Sequence, residues 1–309
     1  MRTFISLVTL VFAAMNTLAA ESNAFAKPDP ELQRIVDEIA VGALKEFAAK
    51  KLTSNQLAIT LVDLKDSQQL RVAGFRGGAP IYPASVIKLF YLAAAHRWME
   101  DGKLKDGDEL RRAMRDMIVD SSNDATHHVL DVLTDTTSGP ELPEAEMKLW
   151  GEKRNAVNRY FTSIGYTNIN ANQKPWCEGP YGRDRIWVGK EYSNRNVLTT
   201  DATARLLAEI ALRRCVSTQR SDEMMKLLSR DRAAKISDAD NQTHGFTGIG
   251  LPSDAKLWSK AGWTSTTRHD AAYVELADGR RFVLVTFTTN HANERDIIAF
   301  VARQVVARL

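Results

Sequence analysis

The chain has 309 residues, 44% of them hydrophobic and 26% charged, with a formal net charge of +3. That composition suffices for a sizeable buried core and excludes a disordered chain. Charges of both signs are interspersed, with no basic block or stripe, which argues against nucleic acid as a partner.

At the N-terminus, Arg2 is followed by the apolar run Phe4 to Ala14 and then small residues, and residues 1–26 read as a secretory signal peptide. Cleavage fits after Ala20 or after the A-x-A site Ala24-Phe25-Ala26. The run is too short to span a bilayer comfortably and no later segment is longer, so no stable membrane insertion is expected. No cysteine lies near the cleavage sites, which gives no indication of a lipoprotein. The expected product is a secreted or periplasmic protein, a monomer by default.

From Pro30 to Lys50, Leu32, Ile35, Val36, Ile39, Ala40 and Leu44 recur at helical spacing, and Arg295 to Leu309 repeats the pattern with Ile297, Ile298, Val301 and Val305. Between these ends, Leu57–Leu64 and Leu70–Phe75 read as strands joined by a polar turn, and Ala271–Leu276 with Arg281–Thr288 as a hairpin around Asp278-Gly279. One antiparallel sheet formed by both chain ends follows, with a helical lobe between. The lobes are expected at about 27–80 with 245–309 for the sheet and about 81–244 for the helices. Within the latter, Glu144 to Ile164 reads as a helix, and Asn172 to Asn196 as a long irregular loop of the functional kind.

Ser85 and Lys88, in Tyr82-Pro83-Ala84-Ser85-Val86-Ile87-Lys88, lie one helical turn apart. The following Leu89 to Ala95 has no polar face, as in a helix wrapped by protein. A lysine in such surroundings can lose affinity for its proton and take that of a serine hydroxyl. Alone, the pair reads first as a capping serine and a surface lysine. Two further strings follow in order: Ser121-Ser122-Asn123 after an apolar helix end, and Lys260-Ala261-Gly262 in a strand-like stretch. Ser121 and Asn123 also fit ordinary helix capping, and a strand lysine is usually solvated.

The order S-x-x-K, S-x-N, K-x-G resembles the signature of class A β-lactamases and penicillin-binding proteins. Gly250-Leu251-Pro252, Thr199-Thr200 and Arg268-His269-Asp270 sit where that family has comparable segments, so the resemblance spans 27–309. It implies a β-lactamase/transpeptidase-like α/β (α+β) fold with the site between the lobes. It further implies Ser85 as acylated nucleophile, Lys88 as base or proton relay, and Ser121 as proton donor to the leaving nitrogen. Asn123 would hold the substrate amide, Lys260 and Arg268 its carboxylate, and the N–H of Trp263 would join that of Ser85 at the oxyanion. The substrate would be a β-lactam or a cell-wall peptide.

Several features depart from the family. The helical interval before Ser121 is short and the one after it long, Ser122 stands where Asp is frequent, and Ala261 replaces a hydroxyl residue. The deacylating glutamate pattern E-x-x-L-N is absent, which leaves Glu178, Asp184 and Glu191 as acidic candidates. With a placed carboxylate the acyl-enzyme turns over as in a β-lactamase. Without one it persists, as in a penicillin-binding DD-peptidase or another amide or ester hydrolase of that fold. A catalytically silent binder of cell-wall peptides is the third reading, disfavoured because a binder needs no nucleophile and relay. Cys177 and Cys215 would lie on an active-site loop and a neighbouring helix, bridged or free. The six histidines form no ligand pattern, His127 and His128 being adjacent, and no metal or other cofactor is expected.

Overall fold

The computed structural model describes residues 25–176 and 179–309; the signal-peptide reading falls mostly, and Cys177 and Glu178 wholly, outside them. Among the described residues seven strands form one sheet: β1 (Lys27–Pro28), β2 (Leu57–Asp63), β3 (Arg71–Phe75), β4 (Ser229–Arg230), β5 (Lys256–Trp263), β6 (Thr267–Glu275) and β7 (Arg281–Thr289). Their order is β1-β3-β2-β7-β6-β5-β4. The sheet is antiparallel except where β1 runs parallel to β3, so it is mixed, and both chain ends build it as expected.

Period-two alternation sends the two side-chain sets to different cores. Leu57, Ile59, Leu61, Ala272, Val274, Phe282 and Leu284 face the helices Pro30–Glu46 and Asp296–Arg308. Ala58, Val62, Ala271, Tyr273, Val283, Val285 and Phe287 face the helical body around Lys88–Glu100. That helix is buried from Lys88 through His96, which explains why its sequence shows no polar stripe. The helix Thr200–Ala211, capped by Thr199 Oγ1 on Ala202 N at 3.0 Å, lies in the helical stretch of the sequence but packs on β2, β6 and β7. β4 likewise joins the sheet edge from within that stretch.

Two helical expectations are corrected. The first helix ends at Glu46 and gives way to a 3₁₀ turn at Ala48–Lys50. The expected helix Glu144–Ile164 is two helices, Glu144–Arg154 and Ala156–Ser163, broken at Asn155. Asn155 Oδ1 accepts from Asn158 Nδ2 at 2.7 Å, a local bond of the kind that draws Asn out of helix interiors.

The long segment 172–196 is irregular but closely held, and it contains the short helix Gly182–Val188. Its ends are clasped by Asn196, whose Oδ1 accepts from Asn172 N (3.1 Å) and Gln173 N (2.9 Å) while its Nδ2 donates to Gln173 O at 2.7 Å. Below it, Arg154 is fully buried and bonds Asp131 at 3.0 Å, with Asp184 at 3.6 Å; Lys174 bonds the other Asp131 oxygen at 2.6 Å. Cys215 is a buried free thiol whose pKa burial pushes up to about 12. It is therefore a packing residue at neutral pH.

Two predictions concern stability. Replacing Arg154 by Ala strands the buried Asp184 and takes one of two cations from Asp131, which keeps Lys174, and is expected to cost about 3–5 kcal/mol in urea unfolding; a loss below 1 kcal/mol would contradict the anchoring role. Burial also pushes His96 and His269 down to about 4 from the ordinary 6.5. The unfolded chain takes up these protons near 6.5 and the folded chain only near 4, so this stability is complete above about 6.5 and is lost as pH falls towards 4. The urea midpoint should fall across that window, and less steeply in His269→Gln; parallel curves for the two proteins would refute it.

Candidate active site

Ser85 is the second residue of a 3₁₀ turn, Ala84–Ile87, and the helix proper begins at Lys88. Ala84 is in the left-handed region at φ 47°, an unusual conformation for a residue with a Cβ and one found preferentially at working sites. The turn is held from behind by β5 and β6. His269 on β6, fully buried, bonds Tyr82 O through Nε2 at 2.9 Å and accepts from Thr288 N at Nδ1 at 3.1 Å. Gly262 on β5 approaches so closely that a Cβ there would lie 2.6 Å from Pro83 O and 3.0 Å from Ser85 N. Only glycine fits this contact.

Lys88 has no exposed surface. Its Nζ donates to Ser121 O at 2.6 Å and Asn123 Oδ1 at 2.8 Å, with Ser121 Oγ at 3.3 Å. The surface-lysine reading is thereby excluded. Ser121 is also left-handed, at φ 55°, which turns its carbonyl and hydroxyl to the same amine. Helix capping here falls to Ser122, whose Oγ accepts from Ala125 N at 3.1 Å. Ser121 and Asn123 both bond Lys88.

Lys260 is fully buried too, and its Nζ bonds Ser121 Oγ at 3.0 Å, Ala261 O at 2.8 Å and Gln242 Oε1 at 2.7 Å. Burial first, then the positive charges of Lys88 and Arg230, holds its pKa well below the ordinary lysine value. Arg230 lies at the rear, where Nη2 bonds Ser259 O at 2.6 Å. One serine hydroxyl is therefore shared by two buried amines.

Strand register fixes the remaining two candidates. Thr264 N donates to Thr267 O at 3.0 Å, so Trp263 opposite Arg268 is a non-hydrogen-bonded pair, and its N–H points off the outer edge of β5. The N–H of Ala261, two residues back, points the same way and meets Gln242 Oε1 at 3.0 Å. Trp263 so presents its N–H at the outer edge of β5, next in the chain to the Gly262 that touches the Ser85 turn, with its indole half exposed. Arg268 is not brought to the cluster. It is one residue out of phase with Gly262's partner His269 and sits beneath the opposite face, stacked on Phe246. Its guanidinium bonds Asp240 Oδ1 and Gly245 O, both at 2.7 Å, and Ala292 O at 3.2 Å. Arg268 fastens the two ends of the loop that carries Gln242.

Of the acidic candidates, Asp184 is buried against Arg154, and Glu191 is exposed in a 3₁₀ turn with φ 52°. Glu178 lies outside the described residues; Pro175 and Trp176 run beside the helix that Asn123 opens, where His127 Nε2 meets Pro175 O and its ring packs on Trp176 at 5.0 Å. The sequence reading missed Gln242 and His269. Gln242 lies in a polar run, Asp238 to Thr243, that looks like any solvated loop. His269 carried a signal, a lone histidine entering an apolar strand, but no indication of its partners.

The profile of the β-lactamase enzyme family matches residues 41–309. No curated protein sequence matches the chain. Among solved structures, a PBP-A mutant in an acyl-enzyme complex with penicillin G is similar with TM-score 0.64 and 17% identity, over 91% of this chain and 97% of that one. A β-lactamase from Sphaerobacter thermophilus gives TM-score 0.64 and 17% identity over 88% and 97%. An ancestral class A β-lactamase gives 0.62 and 19% over 89% and 100%. At such identities these likenesses establish the α/β fold, and the profile match over most of the chain establishes kinship: the protein belongs to the β-lactamase enzyme family, as a β-lactamase-like serine hydrolase.

Proposed function

We propose that the protein is an exported serine hydrolase that opens β-lactam-type amides through an acyl-Ser85 intermediate. The observation that carries this is the Ser121 hydroxyl between Lys88 and Lys260, beside the Ser85 turn. Lys88, as the neutral amine, takes the Ser85 proton while Ser85 Oγ bonds to the carbonyl carbon. The oxyanion is met by the N–H groups of Ser85 and Trp263. Collapse breaks the C–N bond, and Ser121 gives its proton to the nitrogen while Lys88 restores it. Water then releases the acyl group and returns the proton to Ser85. Asn123 positions Lys88 and offers its amide to the substrate.

A second reading, a penicillin-binding peptidase with a lasting acyl-enzyme, is favoured by the engagement of Asp184 with Arg154 and the exposure of Glu191, which leave neither placed to activate water. Intact-mass spectrometry over time with benzylpenicillin and a chromogenic cephalosporin separates the two. A transient adduct that clears as drug is consumed supports the lactamase; a lasting one supports the peptidase. No adduct from either benzylpenicillin or its methyl ester, or undiminished hydrolysis by Ser85→Ala, would overturn both.

Gly262→Ala should slow acylation about 100-fold, because the added methyl displaces the Ser85 turn; an unchanged rate would show that the close contact is dispensable. Export rests on the N-terminal apolar run. Phe25 and Ala26 pack against the core, which favours cleavage after Ala20. N-terminal sequencing of the secreted protein should then read Glu21-Ser22-Asn23, and a start at Lys27 would refute that site.

A further inference from the structure

Gln242 makes four hydrogen bonds with one carboxamide. Its Oε1 accepts from Lys260 Nζ (2.7 Å) and Ala261 N (3.0 Å), and its Nε2 donates to Ile118 O and Val119 O, both at 2.9 Å. The two donors at one end and two carbonyls at the other fix which way the amide points. The loop beneath is built to present it. Arg268 ties down Asp240 and Gly245, Arg295 adds a second bond to Asp240 at 2.8 Å, and Asn241 Oδ1 accepts from Thr243 N (2.9 Å) and His244 N (2.8 Å).

An oxygen held between an ammonium and a backbone N–H occupies the position a carboxylate oxygen would take on binding there. Here the protein supplies that oxygen itself. The three N–H donors of Lys260 are met by Ser121, Ala261 and Gln242, Arg268 faces the other side of the sheet, and Ala261 contributes no hydroxyl. An anionic ligand would have to displace Gln242 and take its amide N–H groups from the part-buried Ile118 O and Val119 O, the first of which keeps Arg230 Nη2 at 3.3 Å.

We infer that Gln242 is a specificity-determining residue that fills the anion subsite, so that the enzyme acts on acyl donors that are neutral there, with an ester or amide in place of the free carboxylate. The inference rests on the function proposed above and deepens it to a substrate class.

The test compares acylation by benzylpenicillin and by its methyl ester, followed by intact mass, in the wild-type protein, Gln242→Ala and Gln242→Glu. The quantity read is the ratio of the two second-order rate constants, acid over ester, which cancels any general loss of folded protein. The wild-type ratio should be about one or lower. Gln242→Ala should raise it about tenfold by freeing the Lys260 donors, and Gln242→Glu should lower it by adding a negative charge. A wild-type ratio above about ten, or one ratio shared by all three proteins, would overturn the inference and leave the acyl-enzyme function standing. Failure of both compounds to acylate any of the three would overturn the function and this inference together.

Discussion

Two lysines without exposed surface converge on one serine hydroxyl, and the arrangement around them follows from the cost of putting them there. Removing an ammonium from water costs several kcal/mol unless its N–H groups find acceptors and its charge is relieved. Lys88 is met by the carbonyl and hydroxyl of Ser121 and by Asn123. Lys260 is met by the same hydroxyl, its neighbour's carbonyl and Gln242. Burial, then the charges of Lys88 and Arg230, weaken the hold of Lys260 on its proton, which favours proton movement through Ser121.

This convergence explains features that otherwise look unrelated. The left-handed Ser121 lets one residue present two oxygens to Lys88, and Ser122 takes over the capping of the helix Asn123–Thr134. The lack of a side chain at Gly262 lets β5 close on the Ser85 turn, and the neutral, doubly bonded His269 fixes the carbonyl just before it. The network around Arg154 holds the long segment 172–196 against the helical body. β5 so closes on the Ser85 turn where the helix Lys88–Glu100 begins.

The sheet, its hairpin and the terminal helices were legible in the sequence because their apolar periods are unbroken. Ser85, Lys88, Ser121 and Asn123 were legible because chemistry demands those residue types at short spacing, and Lys260 because a third motif followed in order. Other features depend on contacts that spacing does not encode. Arg268 reads as a cation beside the site, yet strand register turns it to the far face, and only the pairing of Gly262 with His269 reveals this. Gln242 acts through a loop whose sequence is mostly polar, so its role arises from where Asp240 and Gly245 are pinned. Asn155 broke a helix that propensity alone would have carried through to Ile164.

The most direct test of the account is to locate the covalent adduct. The protein is acid-quenched within the first turnover of benzylpenicillin, digested with trypsin and sequenced by tandem mass spectrometry. The account places the penicilloyl mass on Ser85, in the peptide Gly77–Lys88. Attachment to Ser121, to a lysine or to any other residue would contradict it.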